Sequence, residues 1–194
     1  MADKPKMLWH SNAPWASTGY GMQTSLATER LVDDYEIAVS CFYGLEGARL
    51  SFNKDIKVYP GWGQSYGNDA LPQHALRLFD GEHRGGTVVT LMDVWVIDAN
   101  MAAQFNMVCW TPVDHDPAPP MVKQFFDGSG AVPIAMTRWG QERLEKWRPL
   151  YCPHGVDTSI YKPLDQQECR EAAGLPKDAF IVGMVAANKG WPSR

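Results

Sequence analysis

What most constrains the fold is a repeated alternation of short apolar runs with stretches of helical period. The runs at 87–92 (TVVTLM), 106–113 (NMVCWTPV), 131–136 (AVPIAM) and 180–186 (FIVGMVA) are almost wholly apolar or β-branched. Such runs fit strands buried on both faces, as in a parallel sheet. Shorter extended patterns stand at 7–10, 35–42, 56–60 and 150–152. Between them the period changes. Met22, Leu26, Ala27 and Leu31 fall on one helical face, and Met121, Val122, Phe125 and Phe126 repeat behind Pro119-Pro120. Asp69 is the expected cap of a helix with Pro72 in its first turn and Leu76 and Phe79 on its apolar side. Thr137 opens a helix carrying Trp139, Leu144 and Trp147, and Asp165 stands in capping-box spacing to Glu168 before Gly174 and Pro176. Residues 61–68, with three glycines and no period, read as an exposed loop. Strand, helix, strand repeated in this way predicts an α/β fold: a Rossmann-like parallel sheet flanked by helices, with right-handed crossovers.

Composition narrows the function classes. With 194 residues there is room for one full α/β domain and a remainder. At 45% hydrophobic and 21% charged residues, disorder is excluded. No apolar run approaches the roughly 18 residues of a membrane span, and the first apolar segment is too short for a signal-peptide core. A cytoplasmic location is the expectation. The net charge of −4, with no Lys/Arg run longer than two, argues against nucleic acid as a default partner but leaves it open as an acceptor. Cys41, Cys109, Cys152 and Cys169 form no CxxC and are expected to be buried, reduced thiols.

In parallel sheets ligands bind at the carboxyl ends of the strands, so the residues just after each strand carry the functional reading. After the first comes Thr18-Gly19-Tyr20-Gly21 at a helix entrance, where glycine backbone and free N–H groups favour an anion. It is neither a full GxGxxG nor a P-loop, and an ordinary strand-to-helix turn is the bland alternative. After later strands come Asp93 and Asp114-His115-Asp116. A histidine between carboxylates is a polarised hydrogen-bond donor, a metal ligand or a structural loop residue; no second histidine stands at local ligand spacing. Contact with substrate is the favoured role. Cys152 and His154 lack a nucleophile elbow and carry no covalent mechanism. Trp62 and Tyr66 are suited to stacking on a sugar, or equally to packing on their own loop.

Taken together, these residues resemble the N-terminal half of retaining glycosyltransferases with the GT-B fold (the group 1, family 4-like enzymes). The first strand, the Gly-rich turn and the helix from Met22 match in order. So do the strand ending in Asp114-His115 and the strand followed by Thr137-Arg138. The most specific match is Pro153-His154-Gly155-Val156-Asp157, followed by Tyr161-Lys162-Pro163, with His154 in place of the family's usual asparagine. The resemblance implies an acceptor-binding domain over residues 1–177 and, over 178–194, the first strand and loop of a nucleotide-sugar-binding domain. It implies transfer of a sugar from a donor such as a UDP- or GDP-sugar to an unidentified acceptor, with no cofactor and no catalytic metal. His115 would act at the transferring centre. Thr18, Gly19, Tyr20, Gly21, Asp93, Asp114, Thr137, Arg138, Gly155 and Asp157 would line the acceptor and diphosphate side, with Lys189 and Arg194 near the donor diphosphate. On this reading the 194 residues alone are expected to be inactive, as half of an enzyme.

Two other classes stay open. A stand-alone Rossmann-like nucleotide-binding protein or oxidoreductase requires a ribose-binding acid about 20 residues beyond the glycines, and Glu36 stands near that distance. A non-catalytic interaction domain is the other.

Overall fold

In the computed structural model, which describes residues 4–185, β1 (Lys6–Asn12) runs through the middle of an eight-stranded sheet. On one side lie β2 (Glu36–Tyr43), β4 (Ile56–Tyr59) and β3 (Leu50–Phe52); on the other lie β5 (Thr87–Leu91), β6 (Asn106–Thr111), β7 (Val132–Ala135) and β8 (Leu150–Tyr151). The order is β3-β4-β2-β1-β5-β6-β7-β8. Only β3 is antiparallel, folded back on β4 with Leu50 opposite Val58. The chain steps outward from β1 in both directions, so the carboxyl ends of β1 and β5 flank a topological switch point, where sheets of this kind bind ligands.

The helices are α1 (Gly19–Leu31), α2 (Ala70–Leu78), a single turn α3 (Ala99–Ala102), α4 (Pro120–Ser129) and α5 (Arg138–Arg143). Alternate residues of β1 feed the two faces of the sheet, as a period of two dictates. Leu8 joins Leu71, Leu78, Val122, Phe125 and Phe126 of α2 and α4. Met7 and Trp9 join Val39, Val58 and Trp110 beneath Ala27 and Leu31 of α1.

The α/β reading holds, with local corrections. The Gly-rich turn is already helix: α1 begins at Gly19 with Thr18 as its cap. Its deeply buried face is Gly21, Thr24 and Thr28, while Met22 is exposed. Small residues let the helix sit close to the sheet, near enough for Trp9 Nε1 to donate to Thr24 Oγ1 at 3.1 Å. Asp69 does not cap α2; its carboxylate accepts from the Gln64 amide at 3.0 Å instead. Met121 faces outward from α4. Cys41 and Cys109 are buried as expected, whereas Cys152 and Cys169 are exposed.

The chain divides into two compact units, 1–155 and 156–194, so Lys177 falls inside the second. In that unit α6 (Gln166–Ala172) is capped by Asp165, whose carboxylate accepts from the amides of Gln167 and Glu168, both at 2.9 Å. Gly174 ends it at a φ of 66°. The strand expected at 180–186 is not formed over 180–185, because no described segment supplies it with a ladder partner. Lys189 and Arg194 lie outside the described residues.

Candidate functional site

Beyond the carboxyl ends of β5 and β6 stand Asp93, Asp114 and His115, and the turn after β1 puts Tyr20 in the field of the two carboxylates. Thr18 is the hinge of the arrangement. Its hydroxyl oxygen accepts from Gly21 N at 3.0 Å, capping α1, and from Asn12 Nδ2 at 2.7 Å. The turn is therefore tied to the last residue of β1. The glycines divide the work between them. A Cβ on Gly21 would lie 2.3 Å from the Ala16 carbonyl oxygen, so that hydrogen is needed for the chain to close on itself. A Cβ on Gly19 would meet nothing within 4 Å, which leaves the backbone of the first helical turn open to a ligand.

Tyr20, between those glycines, stands in the field of Asp93 and Asp114. Burial, and then these two carboxylates, push its phenol up to about 12, so it is a hydrogen-bond donor at any physiological pH. Asp93, half-buried after β5, is itself raised above the usual carboxylate range, first by burial and then by Asp114, against a hydrogen bond with the Trp95 side chain. His115 follows β6 and donates Nδ1–H to Asp114 Oδ1 at 2.5 Å. That bond fixes the tautomer: in the neutral ring Nε2 is a bare acceptor. The dyad can thus accept a hydroxyl proton at Nε2 while Asp114 steadies the cation that forms. A cleft of about 810 Å³ adjoins it, walled by Trp95, Val113, Met121 and prolines 112, 117, 119 and 120. Asp116, the other neighbour of His115, is held away by Arg143 Nη2 at 2.6 Å.

Other expected site residues have separate tasks. Thr137 caps α5 through Gly140 N at 2.9 Å, and Arg138 lies 3.8 Å over the ring of Tyr151 while donating to Gln141. Gly155 reaches α1, its carbonyl accepting from Gln23 Nε2 at 2.9 Å. Asp157, in the second unit, accepts from the amide and hydroxyl of Ser159. Glu36 heads β2, opposite Lys6, and so stands at the amino edge of the sheet. It lies about a strand length, roughly 25 Å, from the glycine turn, and cannot bind a ribose there.

His154, which stands where the motif expected from sequence has asparagine, packs its ring tilted on Trp110 at 4.6 Å between centroids and approaches Met136 Sδ at 3.1 Å. Trp110 Nε1 in turn donates to Cys152 O at 2.7 Å. Its role is to seat the loop after β8. Sequence reasoning missed a buried chain on the other side of β1. His10 Nδ1 lies 3.0 Å from Ser40 Oγ, which lies 2.9 Å from His74 Nδ1, and His10 Nε2 donates to Tyr66 O at 3.0 Å. The only available signal was polar residues set inside apolar strands and a helix. Among the described residues no group of three or more His, Cys, Asp or Glu is placed to hold a metal, and no helix is long and apolar enough to cross a membrane. Against known proteins, no family model matches the chain, and no curated protein is found similar to it.

Proposed function

We propose that this chain is the acceptor-binding side of a retaining glycosyltransferase, transferring a sugar from a nucleotide-sugar to an acceptor hydroxyl. The observation that carries the reading is the Asp114–His115 dyad on a cleft beyond the ends of β5 and β6, with the Tyr20 phenol in the field of Asp93 and Asp114 and the open helix start at Gly19 next to Tyr20 in the chain. The ordered motifs of the sequence point the same way. In this reading the acceptor enters the cleft against Trp95 and the prolines, and its hydroxyl donates to His115 Nε2. Asp93 and the Tyr20 hydroxyl orient neighbouring acceptor hydroxyls. The departing diphosphate is met by the amide groups of α1 at Gly19 and Tyr20 rather than by an acid, since dipoles and N–H groups suffice to stabilise that charge. The dinucleotide-dependent alternative loses its ribose acid to the geometry of Glu36.

The test uses the full product of the reading frame with UDP- and GDP-sugars and a panel of hydroxyl acceptors, scoring release of the nucleotide. His115→Ala is expected to lower transfer on the order of 100-fold, the usual size of a general acid–base or orienting contribution. An unchanged rate removes His115 from the mechanism. Absence of nucleotide release with every donor removes the reading itself.

A further inference from the structure

A second cleft, of about 450 Å³, opens at the carboxyl end of β4, lined by Arg49, Tyr59, Pro60, Trp62, Gln73, His74 and Arg77. The β4 and β5 ends are three strand spacings apart, roughly 15 Å, so this is not the cleft of the proposed transfer reaction. Three elements build it. Arg49 immediately precedes β3, whose first residue pairs with Val58, so its backbone stands beside the end of β4. Trp62 follows β4, with one ring edge against His74 at 5.6 Å between centroids. Gln73, His74 and Arg77 come from α2.

The chemistry of the lining is specific. Arg49 and Arg77 are exposed and, among the described residues, make no ion pair; Arg77 only leans over the Tyr59 ring at 5.7 Å. The acid acting on His74 is Asp69, whose Oδ2 accepts from the Gln64 amide and whose Oδ1 is buried without a hydrogen-bond partner among the described residues. His74 is 5% exposed, and its tautomer follows by counting protons. Tyr66 O can only accept, so His10 carries its proton on Nε2 and its Nδ1 is bare. Ser40 must then donate its one proton to His10 Nδ1 and accept from His74 Nδ1–H. That leaves His74 Nε2 as a bare lone pair on the cleft, with no protein partner among the described residues. Burial, then His10 and Arg77, hold the ring down at about 4, so it is neutral. The cleft therefore offers two unpaired guanidinium groups, an exposed aromatic face and an acceptor that demands a hydroxyl.

We infer that this cleft binds a sugar phosphate, with its ring against Trp62, one hydroxyl donating to His74 Nε2 and its phosphate between Arg49 and Arg77. Two guanidinium forks on separate elements suit a dianion better than a single carboxylate, which one fork satisfies. A polyol suits His74 because the lone pair has to be met by an O–H. The site stands independently of the transfer reaction proposed above.

The test is calorimetric titration of the whole chain with glucose 6-phosphate, glucose, glucuronate and inorganic phosphate. Glucose 6-phosphate is expected to saturate one site at least tenfold more tightly than each of the others. The double variant Arg49→Gln/Arg77→Gln is expected to weaken it at least tenfold with the melting temperature unchanged, both side chains being on the surface. Binding is also expected to move the ¹⁵N shift of His74 Nε2 from a bare toward a hydrogen-bonded value. No saturable binding overturns the site. Equal affinity for inorganic phosphate or glucuronate overturns the ligand class, and undiminished affinity in the double variant overturns the location.

Discussion

Gly19 and Gly21 sit one residue apart, with Tyr20 between them, and are opposite in kind. Gly21 is a packing residue: a Cβ there collides with backbone at Ala16 O and Ala13 O, at 2.3 and 2.9 Å, and backbone cannot swing aside. Gly21→Ala should destabilise the protein by about 1–3 kcal/mol, the usual size of overpacking. Gly19 is helical and unobstructed, so Gly19→Ala trades a flexible residue for a good helix former and should gain up to about 1 kcal/mol. The same methyl group covers the backbone N–H groups that a diphosphate would approach. The expected pair of outcomes is a lower urea midpoint for Gly21→Ala, and for Gly19→Ala an equal or higher midpoint with weaker transfer. A stable Gly19→Ala protein with full transfer would show that the open turn is not a ligand surface. From the sequence the two glycines look alike, since neither has a side chain to give it away. Only the approach of the Ala13–Ala16 turn separates them.

At the scale of elements, the loop after β8 shows how a two-residue strand is held in place. Leu150 and Tyr151 pair with Ile134 and Ala135, and Cys152 N adds one bond to Ala135 O at 3.0 Å. The rest is side-chain work: Trp110 Nε1 on Cys152 O, the His154 ring on Trp110, and Gln23 on Gly155 O. Trp110 is itself edge-on to Trp9 at 6.2 Å, so the loop is anchored to the central strand through two tryptophans. His154→Ala should cost about 0.5–1 kcal/mol, the worth of an exposed aromatic contact. It should also speed amide exchange over 152–155 without touching β1 or β5. Exchange that rises uniformly across the sheet would refute the local assignment. The strands β5 and β6 were readable because burial on both faces leaves a compositional mark, whereas β7 was readable from an apolar run although only Pro133 and Ala135 on one face are buried. β3 was not, since a three-residue edge strand exposes most of its side chains and has no period to detect. The face of α1 was misread for a related reason: its contact with the sheet is made by glycine and threonine, which a count of apolar residues passes over.

For the molecule as a whole, the carboxyl edge of the sheet holds the candidate chemistry and the interior between β1, β2 and α2 holds a titratable pair. Asp93, Asp114 and His115 could be picked out in sequence because each directly follows an apolar run. His10, Ser40 and His74 could not, since their partnership exists only once β1, β2 and α2 are assembled. That pair makes stability depend on pH in a defined window. Burial lowers both His10 and His74 to about 4, while in the unfolded chain each titrates near 6.5. Below about pH 6.5 the unfolded chain therefore binds protons that the folded chain refuses, and stability falls as pH drops through 6.5 toward 4. His10 alone accounts for about 3 kcal/mol across that window, being wholly buried. The exposed carboxylates lowered by lysine, Asp33 by Lys54 and Asp127 by Lys146, lose their contribution only below the ordinary carboxylate range, so they do not blur the window. Asp93 acts with the opposite sign. Its raised pKa means the folded state takes up a proton more readily than the unfolded one, so acidification relieves strain there and offsets part of the loss. Urea unfolding measured from pH 7.5 to 4.5 should show stability level above pH 7 and falling steadily below 6.5. Asp93→Asn, which removes the offset, should start higher at neutral pH and fall more steeply near pH 4.5. A wild-type profile that stays flat to pH 4.5 would mean that the histidine pair takes up its protons in the folded state, and the Ser40-centred chain would have to be redrawn.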